Sequence, residues 1–301
     1  MLDLFVLGGG PAGITAAIYA ARSGCAVTLM YKDGGALVHA ERIENYYGFS
    51  EPVSGQALLE NGLSQARRLG VLVQEAEVVG LGFGSQGLLA ETSAGPVEAE
   101  AVVLATGLNR RRPQIQNFGA FDGAGVSYCA VCDGFFCRGR DVAVLGAGAY
   151  ALHEAAVLLP LARSVTLLTN GAPAPAELPP ALNVDSRRVE ALLGDQTLQA
   201  VTLEDGVSLP AERLFVALGT ADSGDLARKV GALTENGKVL VDEAMATNVP
   251  GLFAAGDCTG GLLQIAKAIH QGAQAGLSAV RYLRKQEKAR SALEQAAGAP
   301  L

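Results

Sequence analysis

Leu2-Asp3-Leu4-Phe5-Val6-Leu7 runs straight into Gly8-Gly9-Gly10-Pro11-Ala12-Gly13, and the reading of that stretch decides the fold. An apolar run ahead of a glycine cluster predicts a short strand buried in a parallel sheet. The cluster spells G-x-G-x-x-G, and the small residues from Ile14 to Ala21 predict the helix it opens. In that strand-turn-helix setting the glycines let the backbone approach a pyrophosphate at the helix N-terminus, so the stretch predicts a dinucleotide-binding α/β domain. The next strand, Ala26 to Met30, would ordinarily end in an acidic residue that grips a ribose. Tyr31 and Lys32 stand there instead, which leaves the adenosine to Tyr31 or to the Gly34-Gly35 turn.

The pattern returns later in the chain. Asp141 to Leu145 predicts a strand, Gly146-Ala147-Gly148-Ala149-Tyr150-Ala151 spells G-x-G-x-x-A, and Leu152 to Leu159 predicts the helix behind it. Gly8 and Gly146 each precede by twenty residues a threonine in a matching strand, Thr28 in one and Thr166 in the other. Such a repeat implies two Rossmann-like units of one design. Beyond the matching strand the second unit departs from the first. Thr169-Asn170-Gly171 supplies neither an acid for a ribose nor arginines for a 2′-phosphate, and Pro173, Pro175, Pro179 and Pro180 stand where a helix would be expected. Leu214 to Gly219 closes this unit as Val103 to Gly107 closes the first.

Between these landmarks, Gln56 to Leu69 predicts a helix ended by Gly70, and Val71 to Val79, Gly87 to Thr92 and Val97 to Ala101 predict a small meander. Arg110, Arg111, Arg112 and Pro113 read as an exit linker. Pro250 to Asp257 resumes the buried-strand pattern with Asp257 at its end, and Leu263 to Leu283 predicts a long helix, its tail from Arg284 fraying. An acid ahead of a helix N-terminus bonds a polyol chain while the helix dipole faces an electron-rich ring edge, a combination that suits FAD more than NAD.

The chemistry concentrates in Tyr128-Cys129-Ala130-Val131-Cys132-Asp133-Gly134. Cysteines at this spacing can close a small disulfide ring, and if Cys132 opens a helix, its dipole and free N–H groups favour the thiolate. Asp133 beside it is a candidate proton carrier. Half of a zinc site is the competing reading, but Cys25, Cys137, Cys258, His39, His153 and His270 offer no second pair at ligand spacing, so no metal is expected. Cys25, Cys137 and Cys258 read as packing residues, and His153 and His270 as structural ones. Five cysteines, an odd number, fit a reducing cytoplasm better than a disulfide scaffold. With 50% hydrophobic residues the chain can bury a large core, and its net charge of −7 argues against nucleic acid or an anionic membrane as a partner. No signal peptide is expected, because Met1 leads within two residues into an apolar strand ending in Gly8-Gly9-Gly10, and no membrane span, since Pro160 and Arg163 interrupt the longest apolar stretch. Arg110, Arg111, Arg112, Arg138 and Arg140 read as a solvated face or as a docking patch for an acidic protein.

Gly8 to Gly13, Gly34-Gly35, Ile43-Glu44-Asn45, Ala105-Thr106-Gly107, the Cys129 to Gly134 segment and Ala254-Ala255-Gly256-Asp257 fall in the order found in the low-molecular-weight thioredoxin reductases. The chain resembles that family over essentially its whole length. The resemblance implies a homodimer whose FAD-binding domain, residues 1–113 and 245–301, is split by an inserted NAD(P)H-like domain, residues 114–244, carrying the cysteine pair. It implies that Cys132 faces the flavin, that Cys129 attacks the disulfide of a thioredoxin-like protein, and that Asp133 delivers the proton. It also implies that Gly8, Gly10, Pro11, Ala12, Gly13, Tyr31, Gly35, Ala36, Asn45, Val78, Thr106, Gly107, Asp257, Gln264 and Ile265 hold FAD.

Three departures from the family bear on the electron donor. Its His-Arg-Arg clamp for NADPH is replaced by Thr169-Asn170-Gly171, its Glu-Glu pair after the second glycine motif by His153-Glu154, and its Arg-Gln pair near the flavin by Leu263-Gln264. These losses are similar to those of the pyridine-nucleotide-independent branch, which includes ferredoxin-linked flavin reductases and a diflavin-linked disulfide oxidoreductase. The expected donor is therefore ferredoxin in place of NADPH, with a second flavin in the vacated groove as a lesser alternative. An ordinary NADPH-dependent reductase and a non-turnover flavoprotein redox sensor are the competing functions. The intact Cys-Ala-Val-Cys-Asp unit favours an enzyme, because a sensor needs no dedicated proton carrier.

Overall fold

The computed structural model describes residues 3–85, 87–107 and 113–297, and the chain divides into two units, residues 1–108 with 222–301 and residues 109–221. The first unit opens with β1 (Asp3–Leu7), α1 (Pro11–Arg22), β2 (Ala26–Tyr31), α2 (Gly55–Arg68) and β3 (Leu72–Glu75). Pro11 suits the first turn of α1, where its missing N–H would have had no helical partner. Ser54 caps α2 by accepting the Ala57 N–H at 3.1 Å, and Gly70, at φ +85°, ends it.

The single strand predicted over Val71 to Val79 is two strands. β3 lies parallel to β2, whereas β4 (Val78–Phe83) starts an antiparallel meander with β5 (Leu88–Thr92) and β6 (Val97–Ala99). The break falls at Ala76 and Glu77. The Ala76 N–H still reaches the Tyr31 carbonyl at 2.8 Å, while the Glu77 carboxylate turns to pair with Lys32 at 2.9 Å. β7 (Ala101–Leu104) then pairs beside β1.

The second unit carries β8 (Val126–Ser127), α3 (Ala130–Asp133), β9 (Asp141–Leu145), α4 (Ala149–Leu158), β10 (Ser164–Leu168) and β11 (Leu182–Asp185). No helix forms among the prolines between β10 and β11. A second meander, β12 (Val189–Gly194), β13 (Leu198–Leu203) and β14 (Ser208–Pro210), precedes β15 (Arg213–Val216). The chain re-enters the first unit at residue 222, earlier than the expected 245, because α5 (Ser223–Lys229) packs on β4 and its Ser223 bonds Thr106. β16 (Thr234–Glu235), β17 (Lys238–Val239), β18 (Leu252–Ala254) and α6 (Ile265–Ala297) follow. The tail expected to fray from Arg284 continues α6, and Arg290 pairs with Glu100 at 2.8 Å.

Each unit is built on five parallel strands. Their orders are β3-β2-β1-β7-β18 and β11-β10-β9-β15-β8, with a meander inserted before the fourth strand in both. The duplication seen in the glycine turns therefore extends through the sheets. It differs in one respect: the fifth strand of the second unit, β8, precedes the other four in the chain. Residues buried along β1, β2 and β7 form the first core with Ala12, Ala16 and Ala20 of α1. α6 lies backbone to backbone on α1, since a Cβ on Gly272 would stand 2.2 Å from the Ala12 oxygen and one on Gly276 2.4 Å from the Ala16 oxygen.

Candidate active site: a cysteine pair and a glycine-turn cradle

Cys129 and Cys132 are joined in a disulfide. The condition under which a helix would favour the Cys132 thiolate, that Cys132 opens it, is not met: α3 begins at Ala130, and extended Cys129 is its N-cap. The Cys129 Sγ accepts the Cys132 N–H at 3.2 Å, so the donor of the first turn serves the first sulfur. Cys129 is buried and Cys132 exposed. Ser127, at the carboxyl end of β8, accepts the Cys129 N–H at 3.2 Å and donates to Asp133 Oδ2 at 2.6 Å. Asp133 is thus held against the pair it was expected to serve. On the other side, buried Glu154 of α4 accepts the Ala130 N–H at 2.7 Å, and the hydroxyl of buried Tyr150 meets the Tyr128 carbonyl at 3.4 Å.

The remaining thiols are different in kind. Burial pushes Cys137 up to about 11, with Arg213 opposing, and pushes fully buried Cys258 up to about 11 against a hydrogen bond from Ser223. Neither is a thiolate near neutral pH. Among the described residues no group of three or more His, Cys, Asp and Glu side chains is arranged to hold a metal, and no helix is long and apolar enough to cross a membrane.

In the first unit the glycine turn forms a cradle. Gly8, at φ +118°, brings its N–H to the Met30 carbonyl at 2.8 Å, and a Cβ there would lie 2.3 Å from the Ala105 oxygen. A Cβ on Gly13 would strike the Gly8 oxygen at 1.9 Å, whereas one on Gly10, the N-cap of α1, would meet nothing within 4 Å. The backbone is thus packed tightly behind the turn and open in front, as a phosphate cradle requires. Pro11 and Ala12 form the first turn of α1, Tyr31 lies over Gly9, and Gly35, at φ +56°, bonds Asp33 Oδ1 at 2.8 Å with Ala36 next to it. Asn45 donates to Gln264 at 2.9 Å, joining the Ile43–Asn45 segment to the start of α6 at Ile265. The Thr106 N–H donates to the Ser223 hydroxyl at 3.1 Å and the two hydroxyls share a hydrogen bond at 2.8 Å, beside Gly107 at φ +73°. Val78 is buried at the head of β4.

Asp257 stands in a short turn after β18. Lys267 holds that turn, its Nζ donating to the Gly256 and Gly260 carbonyls at 2.6 Å each and to Thr259 Oγ1 at 3.2 Å. Burial pulls the ammonium below its ordinary value, with Asp257 opposing. Ser127, Tyr150, Ser223 and Lys267 were not singled out as functional from the sequence, and Glu154 entered only as the retained half of the family's Glu-Glu pair. Tyr150 fills a variable place of the second glycine motif, and only the pairing of distant segments reveals what these side chains do.

The corresponding edge of the second unit is occupied by its own chain. Thr169 Oγ1 donates to the Ala172 carbonyl at 2.5 Å and Asn170 Oδ1 accepts the Val189 N–H at 2.8 Å. Arg187 is held by Asp185 and by Asp205, the latter at 2.6 Å. Arg188 lies over Gly171, where a Cβ would come within 3.1 Å of its Nε. Of the arginine cluster, Arg140 is paired with Glu212 at 2.8 Å and Arg138 stacks over the Phe135 ring at 4.9 Å. Arg110, Arg111 and Arg112 lie outside the described residues.

A nucleotide cradle in one unit and a capped disulfide in the other define a nucleotide-dependent disulfide oxidoreductase. The model of the pyridine nucleotide-disulphide oxidoreductase family matches residues 2–272, and the chain belongs to that family. The thioredoxin reductase of Listeria innocua is 31% identical over 97% of this chain and 96% of its own. The crystal structure of the atypical thioredoxin reductase TRi from Desulfovibrio vulgaris Hildenborough is similar at 39% identity and a TM-score of 0.88, covering 95% of this chain and 99% of that one. A ferredoxin-flavin thioredoxin reductase from Clostridium acetobutylicum is similar at 30% identity and a TM-score of 0.70, covering 94% and 98%. The chain is a thioredoxin reductase-like flavin disulfide oxidoreductase, and the family implies FAD as the group for which the glycine cradle is shaped.

Proposed function

We propose that this chain passes electrons from a donor other than NADPH, through FAD and the Cys129–Cys132 pair, to the disulfide of a thioredoxin-like protein. Bound FAD supplies the carrier that receives electrons from the donor and yields a pair to the disulfide. The Gly8–Gly13 turn and α1 bind its pyrophosphate, and Asp257, in the turn held by Lys267, binds its polyol. Exposed Cys132 receives the electron pair as the S–S bond breaks. Cys129 then attacks the substrate disulfide, forming a mixed disulfide and expelling one substrate thiolate. Cys132 attacks Cys129 in turn, expels the second thiolate and restores the ring. Two electrons and two protons leave with the substrate dithiol, and Asp133, steadied by Ser127, is the local proton carrier. The Cys132 N–H at the Cys129 sulfur supports Cys129 as the attacking thiolate.

The observation that carries the donor assignment is the self-occupied edge after β10. Thr169 spends its hydroxyl on its own loop, Asn170 its amide oxygen on Val189 of β12, and Arg187 is neutralised by two carboxylates. A 2′-phosphate contact from a free guanidinium contributes roughly 1.5–3 kcal/mol, and none of that is on offer from Arg187. One-electron protein donors of the ferredoxin class need no such groove. Among the described arginines of the cluster, Arg138 remains the candidate contact for an acidic donor. The working form is read as a homodimer in a reducing cytoplasm, from the family resemblance and the five cysteines.

A second reading, NADPH as donor, is favoured by Arg188 over Gly171 and by the intact turn at Gly146 and Gly148. Anaerobic stopped-flow mixing separates the two. Reduced ferredoxin is expected to bleach the flavin and NADPH to leave it oxidised. Bleaching by micromolar NADPH at roughly tens per second, an ordinary enzymatic rate, would overturn the donor assignment.

A further inference from the structure

We propose that Glu154 is a positioning residue for the cysteine pair: by accepting the Ala130 N–H it fixes the turn in which Cys129 caps α3. The inference rests on the reading of Cys129 and Cys132 as the redox pair. Counted from the first glycine of each turn, Tyr150, Glu154 and Leu158 occupy the places of Ala12, Ala16 and Ala20. The three alanines are buried on α1, two of them against the glycines of α6. The second-unit trio instead reaches the redox segment. Tyr150 meets the Tyr128 carbonyl, Glu154 takes the Ala130 N–H, and Leu158 closes over Gly134, where a Cβ would come within 3.6 Å of its Cδ2.

A carboxylate only 1% exposed is costly to keep in the interior unless it is bonded, and an apolar side chain would fill the same volume without that cost. What the glutamate adds is an acceptor for an N–H beside the reacting sulfurs. Cys129 is then held on both sides, its own N–H by Ser127 and the next by Glu154, and the following turn aims the Cys132 N–H at the Cys129 sulfur. That last bond becomes charge-assisted when the disulfide opens, so an unfixed turn stabilises the thiolate less. His153 Nε2 lies 4.0 Å from Glu154 Oε1.

The holoenzyme and its Glu154→Ala, Glu154→Leu and Glu154→Gln variants test this in dithiothreitol redox buffers, with reduced pairs counted by alkylation. Alanine and leucine are expected to move the exchange equilibrium about tenfold toward the disulfide, about 30 mV for a two-electron couple. Alkylation of Cys129 in the reduced protein at pH 7 should slow by about tenfold as well. Glutamine, whose amide oxygen still accepts the N–H, should stay within about threefold of the parent. Leucine fills the site and keeps the fold if alanine does not. A leucine variant with the parent's equilibrium, or a glutamine variant as impaired as leucine, would overturn the proposal. A parent pair that never opens in dithiothreitol would overturn the redox reading itself.

Discussion

The two glycine turns match bond for bond. Gly8 and Gly146 give their N–H groups to Met30 and Leu168 at 2.8 and 3.0 Å, and a Cβ on either would strike the Ala105 or the Ala217 oxygen, at 2.3 and 2.2 Å. Gly107 and Gly219 each lie three residues beyond the fourth strand, at φ +73° and +78°. The divergence lies on the inner face of the following helix and after the fifth strand. In the first unit β18 leads to Asp257 and a long helix laid on alanines. In the second β8 leads to Cys129 and a one-turn helix laid on Tyr150, Glu154 and Leu158. One backbone design thus serves as a nucleotide cradle or as a mount for a disulfide, depending on three helix side chains and the residue after one strand.

The largest effect expected to sharpen that contrast comes from the turns themselves. Gly13→Ala would place a Cβ 1.9 Å from a backbone oxygen that has nowhere to move, so it should abolish FAD retention and destabilise the first unit by about 3 kcal/mol. Gly146→Ala forces φ +153° on an alanine and a 2.2 Å contact with the Ala217 oxygen, and should cost the second unit a similar amount. Its flavin content should match the parent's. Gly10→Ala, with open space in front of it and φ −77°, should fold normally and lose only flavin affinity. Flavin absorbance per protein and thermal unfolding measure both halves. A Gly146→Ala protein that folds but emerges colourless would show that the two turns do not act independently.

What was legible beforehand follows the same division. Strands such as Leu4–Leu7 and Val142–Leu145 are uniformly apolar because both faces are covered, and the glycines that follow are demanded by local geometry, so the two units could be read in order. Local pattern failed where distant partners decide. Nothing in Val71–Val79 announces that Glu77 leaves the sheet for Lys32, and nothing near Ser223 announces that it returns the chain to Thr106. The start of α3, at Ala130 with Cys129 as its cap, could not be read from local pattern. A four-residue helix has no periodicity, and its boundary is fixed by Ser127 and Glu154, which lie outside it.

A smaller effect bears on how sharply the second unit singles out one pair of sulfurs. If Cys129 and Cys132 are the reactive thiols, the reduced native protein should show rapid alkylation of exposed Cys132 at pH 8, with buried Cys129 following as the opened ring admits the reagent. Cys137 and Cys258, whose thiols burial holds near 11, should react at least about a hundredfold more slowly, since only the thiolate is nucleophilic. Mass spectrometry of alkylated peptides reads this directly. Fast labelling of Cys137 would make it a third member of the redox site.

The smallest effect concerns the strand start that the second unit reinforces with charge. Asp141 opens β9, and Arg163 and Ser164 clasp its carboxylate, Arg163 Nε at 2.9 Å and Ser164 Oγ at 2.7 Å. At the places matching Arg163 and Ser164 the first unit has Cys25 and Ala26, which offer no such donors. The hydrogen bonds from Arg163, with that from Ser164, hold the Asp141 carboxyl down at about 2. Its unfolded value is near the ordinary ~3.9, so the stabilisation is complete above that pH and is lost as the pH falls through the folded value. Asp141→Asn should therefore lower the thermal midpoint of the second unit slightly at pH 7, by less than the glycine substitutions, because Arg163 is largely exposed and its charge is screened. The difference from the parent should shrink between pH 4 and pH 2 as the parent's own carboxylate takes up its proton. A deficit that stayed constant down to pH 2 would mean that Asp141 acts through packing and not through its charge, and the contrast between the two strand starts would then be steric.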